Sequence, residues 1–129
     1  MRKSQEKRLY PRVEHKLPIK VAANGYDFIT TTKNVSCVGV YCRIKKYVPP
    51  FTRVLVRLSL PVLVECKGVV VRTEDEEKGD GFNIAIFFNE ISEDQRKKIG
   101  RYISQFLPQS LPMALAIRKA KPSPYRPNG

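Results

Sequence analysis

The sequence has little of what catalysis, export or cross-linking needs. Its single histidine, His15, sits among charges beside Lys16 and reads as a solvated surface residue. Neither a G-x-S-x-G nucleophile elbow nor an H-E-x-x-H zinc helix occurs, so an enzyme is not expected. The three cysteines, Cys37, Cys42 and Cys66, are odd in number and lack C-x-x-C spacing. That argues against a disulfide framework or a zinc site and for small buried or half-buried thiols in a reducing cytosol. No apolar run approaches the roughly 20 residues of a membrane-spanning helix. Residues 1–20 lack the apolar centre of a secretory signal, so a cytoplasmic protein with no membrane span is expected.

Acids are scarce too: 12 Asp and Glu stand against 24 Lys and Arg, a net charge of +12. Such an excess favours a polyanionic partner, whether nucleic acid, an anionic lipid surface or a phosphorylated small molecule. It is unevenly placed. Residues 1–20 hold seven cations against Glu6 and Glu14, residues 108–129 hold four and no acid, and the acids concentrate at 74–77.

What is present is strand pattern. Leu17, Ile19 and Val21 alternate with Pro18, Lys20 and Ala22, the period of a half-buried strand. Asn24-Gly25 marks a hairpin turn, and residues 26–32 are aromatic and β-branched enough for a second strand. Alternation resumes over 39–44, again over 53–60, then over 62–73 with a parity change near Gly68 that suggests a bulge, and finally over 82–88. Residues 74–81 read as a polar hairpin loop. Ser92-Glu93-Asp94-Gln95 is a capping box, followed by Ile99, Tyr102, Ile103 and Phe106 on one helical face. Six short strands and a helix predict a mainly β fold: a six-stranded antiparallel barrel with a C-terminal helix closing one end. Three regions are expected: a flexible basic arm over 1–16, the barrel and helix over 17–107, and a basic, proline-rich, partly disordered tail over 108–129, with about two helical turns at 113–120.

Two short patterns offer chemistry. Arg8-Leu9-Tyr10-Pro11-Arg12 places two guanidinium forks four residues apart, suited to phosphate oxygens or the O6/N7 edge of guanine. A second pair, Arg53 and Arg57, is accounted for by the outward face of its strand. Between two expected strands, Asn34-Val35-Ser36-Cys37-Val38-Gly39 supplies an amide, a hydroxyl and a glycine that allows close approach or an unusual φ; an ordinary Asx-type turn explains the same residues. The acids at 74–77 lack EF-hand spacing and read as a solvated hairpin tip.

In this order and spacing, R-x-x-x-R followed by [D/N]-x-S-x-x-G resembles the PilZ domain, the bacterial receptor for cyclic di-GMP. Gly68-Val-Val-Val-Arg72 is similar to the family's G-x-V-V-R strand, and the likeness extends over roughly residues 6–106. The resemblance implies that Arg8 and Arg12 bind phosphate and the guanine Hoogsteen edge. It also implies that Asn34, Ser36 and Gly39 hold a guanine from the other side, and that Lys7 adds a phosphate contact. It further implies an adaptor without a cofactor, whose arm orders on ligand binding to alter contact with an effector protein. Ala85 replaces a usual glycine, expected to crowd the barrel, and Asn34 replaces the commoner Asp. The alternatives are a basic nucleic-acid-binding barrel, disfavoured by the lack of interleaved exposed aromatics and cations, and a PilZ-like protein scaffold that binds no nucleotide.

Overall fold

Apolar–polar alternation accounts for most of the architecture. A computed structural model describes residues 11–76 and 79–106. Lys7, Arg8 and the tail with its expected helical turns lie outside the described residues. The elements are β1 (Arg12–Val13), β2 (Pro18–Ala23), β3 (Tyr26–Ser36), β4 (Gly39–Ile44), β5 (Arg53–Ser59), β6 (Leu63–Asp75), β7 (Phe82–Glu90) and α1 (Glu93–Ser104). The strands run in the order β3-β2-β5-β6-β7-β4, and β4 returns to pair with β3, closing a six-stranded antiparallel barrel. The two-residue β1 is added alongside β3.

Inward positions are dominated by β-branched side chains, which suit a pleated surface. Val21, Val35, Leu58, Val64, Val70 and Ile84 are fully buried. Asn24 and Gly25 take positive φ (53° and 82°), the type I′ geometry that joins tightly twisted strands. α1 begins at Ser92, whose hydroxyl accepts the Gln95 N–H. The capping box is only half formed, because the Gln95 side chain accepts the backbone N–H of Glu65 and fastens the helix to β6. Ile99 and Ile103 then plug the barrel.

Several boundaries differ from the sequence reading. β3 continues four residues beyond the expected strand, and the polar run Glu74–Asp75 belongs to β6, not to the hairpin loop. The parity of β6 holds through Gly68 and breaks between Val70 and Arg72; opposite Gly68 the extra residue lies on β7. Ala85 faces outward between Tyr41 and Arg72 and does not crowd the interior.

The arm boundary expected at residue 17 also falls inside packed structure. Val13 is buried and pairs with Val35, while His15, expected to be solvated, bonds through Nδ1 to the Tyr102 hydroxyl (2.8 Å) and lies edge-on to Phe106. Thr32 locks this segment down: its Oγ1 donates to the His15 carbonyl and accepts the Leu17 N–H. Thr32→Val keeps the shape but strands a buried donor and acceptor, and is expected to cost about 1–3 kcal/mol in urea unfolding.

Candidate functional site

Strand pairing brings together residues that are distant in sequence. Arg12 pairs with Ser36, and Val13 with Val35. Because Val13 is anchored in the core, alternation turns Arg12 outward onto the barrel wall beside Ser36. Asn34 stands two residues earlier on β3, opposite Tyr41. Gly39 begins β4 opposite Phe87.

The expected loop is thus mostly strand: Asn34 and Ser36 belong to β3, and only Cys37 and Val38 turn the chain. Ser36 holds that turn. Its Oγ accepts the Val38 N–H (3.2 Å) and donates to the Gly39 carbonyl (3.4 Å), while the Val38 carbonyl accepts the Phe88 N–H (2.8 Å). Gly39 has no positive φ. A Cβ there would lie 2.2 Å from the Ile86 carbonyl oxygen, so the close approach is to β7 backbone.

Two neighbours, Tyr41 and Lys33, were not singled out from the sequence. The Tyr41 ring is flanked by Lys33 Nζ at 5.9 Å and the Arg72 guanidinium at 5.6 Å, and its hydroxyl donates to Glu74. Alternation along β4, which puts Gly39, Tyr41 and Arg43 on the outer face, is the signal that finds Tyr41. Burial first, and then the bond to Glu74, raises the Tyr41 hydroxyl above the usual tyrosine value. Glu76 bridges Lys33 (3.2 Å) and Arg43 (3.8 Å), and the hydrogen bond from Lys33 is the main reason its carboxyl lies below the usual range. Glu74 and Glu76, read as part of a hairpin tip, are therefore partners of this cationic wall. Among the described residues no group of His, Cys, Asp and Glu is placed to hold a metal. Burial pushes Cys37 up to about 11 and Cys42 and Cys66 up to about 12, leaving them as protonated thiols.

The arrangement offers a guanidinium, an amide, an aromatic face and a turn held by its own hydroxyl, with no nucleophile–base pair. The family model of the PilZ domain matches residues 6–105. The chain belongs to the PilZ domain family. PilZ domains are receptor and adaptor domains. Among solved structures, this PilZ domain is similar to the Bacillus subtilis inhibitor of motility MotI/DgrA, with a TM-score of 0.69 and 17% identity over 76% of this chain. It spans 50% of that protein's length. It is also similar to the PilZ domain of CeSA from a cellulose-synthesizing bacterium, with a TM-score of 0.55 and 18% identity, covering 74% of this chain and 96% of that one. At these identities the likeness concerns the fold. No curated protein sequence matches the chain. No helix among the described residues is long and apolar enough to cross a membrane.

Within this PilZ site, Ser36→Ala separates binding from folding. Loss of the two bonds made by Ser36 Oγ is expected to cost the barrel about 1–3 kcal/mol in thermal or urea unfolding. The loosened turn is expected to weaken ligand binding clearly in a calorimetric titration.

Proposed function

We propose that this domain is a cytoplasmic receptor for cyclic di-GMP that changes its contact with an effector protein when the nucleotide is bound. The observation that carries this reading is the pairing of Arg12 with Ser36, which sets one end of R-x-x-x-R against the [D/N]-x-S-x-x-G strand. The fork of Arg12 suits a phosphate or the O6/N7 edge of guanine, and Asn34 offers a donor and an acceptor to a base edge. Arg8, one R-x-x-x-R step upstream, closes on the ligand from the opposite side, and Lys7 adds charge to the phosphates. Ser36 and Gly39 act by fixing the turn against which the base rests. The role calls for no cofactor.

We assign the ligand-dependent change to the chain that carries Arg8, upstream of the β1–β3 pairing. When Arg8 engages the nucleotide, that segment and the ligand together form a surface for the effector.

Calorimetric titration with cyclic di-GMP, cyclic di-AMP, GTP and a single-stranded oligonucleotide tests this reading. Cyclic di-GMP is expected to bind at least about tenfold more tightly than cyclic di-AMP, because adenine presents an amino donor where guanine presents O6. Preference for the oligonucleotide would make the +12 charge a nucleic-acid feature. No binding of any nucleotide would leave a protein scaffold.

A further inference from the structure

The most exposed large apolar side chain among those described is Phe51, at 83%. Its backbone sits at φ 74°, a region that bulky L residues avoid. The surrounding loop, residues 45–52, is firmly tied. Thr73 donates to the Val48 carbonyl, the Thr52 hydroxyl donates to the Pro49 carbonyl, and the Phe51 N–H donates to the Val70 carbonyl. Val48 is buried beneath it. A loop this constrained, holding a phenylalanine in a disfavoured conformation and burying almost none of it, gains nothing for the fold from that side chain. Strain of this kind points to presentation.

The surroundings indicate what is presented to. Lys45, Lys46, Tyr47 and Arg53, close to Phe51 in the chain, are exposed; Tyr47 lies edge-on to Phe82, and Lys46 lies over the Tyr26 ring at 4.5 Å. Next to this knob is a hollow of about 520 Å³ lined by Tyr26, Arg53, Leu55 and Lys67, with Asp27 and Glu90 already paired to Lys20 and Lys67. A rigid projection beside a firm hollow suits a protein surface better than a bilayer, which has no fixed relief to fill the hollow. The cations demand acidic groups opposite, and a net charge of +12 sets a second copy of this chain against itself.

We propose that the β4–β5 loop is a docking knob for an acidic protein partner, with Phe51 as the anchor and Lys45, Lys46 and Arg53 as its charged rim. Phe51 bonds Val70, which pairs with Ile86, which in turn pairs with Val40, so the anchor lies around the barrel wall from Gly39 by three strand spacings, about 14 Å. It thus gives the effector of the proposed receptor a foothold outside the nucleotide site. Its success does not depend on nucleotide binding, and the two are tested separately.

Phe51→Gly supplies a residue at ease with positive φ and is expected to raise the unfolding midpoint by about 4 °C. A lowered midpoint would show that Phe51 serves the fold and would overturn the proposal. For the partner, p-benzoylphenylalanine in place of Phe51 is photoactivated in the cells that make the full chain. The expected product is a protein adduct whose cross-linked peptide is acidic, reduced at least about tenfold when Lys45 and Lys46 are both replaced by Glu. A cross-link to a second copy, to a peptide without acids, or to no protein overturns it. So does Phe51-dependent sedimentation with phosphatidylserine–phosphatidylcholine vesicles, which would make the knob a lipid contact. Cyclic di-GMP titration of Phe51→Gly is expected to match the wild type. If the wild type binds no nucleotide but the acidic cross-link forms, the receptor reading fails and the docking knob stands.

Discussion

Replacing Arg12 or Arg8 by alanine is expected to weaken cyclic di-GMP binding at least about tenfold, measured by calorimetric titration. In the proposed complex each guanidinium would make charge-assisted hydrogen bonds, worth about 1.5–3 kcal/mol, and one such bond exceeds the roughly 1.4 kcal/mol of a tenfold change. The effect of Arg12 is positional. β1 holds it opposite Ser36, so no other cation moves into its place when it is lost. Arg53→Ala and Arg57→Ala are the controls. Arg57 already pairs with Glu65 across β5 and β6, and Arg53 opens β5 away from Ser36. Equal losses at all four positions would show that bulk charge does the binding, and the site would be wrong.

Gly39→Ala is expected to be the most damaging conservative change at the site, at about 2–3 kcal/mol of unfolding free energy. The added methyl would lie 2.2 Å from a main-chain oxygen, Ile86 O. Relief requires β4 and β7 to part at the pairing of Gly39 with Phe87. Gly68→Ala makes a useful contrast. Its methyl would meet the Ile86 Cγ2 at 2.6 Å and the Phe87 carbonyl at 3.0 Å, a milder overlap than the one at Gly39. Chemical denaturation of the two variants is expected to rank Gly39→Ala as the less stable. A Gly39→Ala barrel as stable as the wild type would mean that the β4–β7 approach is looser than described. Loss of ligand binding in Gly39→Ala accompanies the distortion of the turn, so it is interpreted together with the stability measurement.

The barrel was legible because its strands advertise themselves in side chains: Val54, Val56 and Leu58 inward, Arg53, Leu55 and Arg57 outward. The Asn24-Gly25 turn and the Ser92 cap were equally plain, since both depend on local chemistry. What escaped was held by backbone or by irregularity. β1 is two residues long and leaves no periodic trace, yet it positions Arg12. β3 passes a register shift between Thr32 and Asn34, which disguises Lys33–Ser36 as a polar loop. The outward end of β6 is charged because its partners are the cations around Tyr41, a pairing of distant residues that alternation alone does not reveal. His15 was misread for the same reason, since Tyr102 is 87 residues away. For the candidate site, the motif residues were legible and their surroundings were not.

The bond from His15 to Tyr102 ties the residue three places after Arg12 to the last turn of α1. Thermodynamic reciprocity gives that bond a second reading. If nucleotide at the proposed site beside Arg12 tightens the hold of the 12–15 segment on α1, then anything that grips or pulls the end of α1 must change nucleotide affinity by the same factor. The chain continues from α1 into its C-terminal residues, so a load attached there would act as a volume control on the receptor. The messenger concentration needed for half-occupancy would then be set by what the protein is fastened to as well as by the pocket itself.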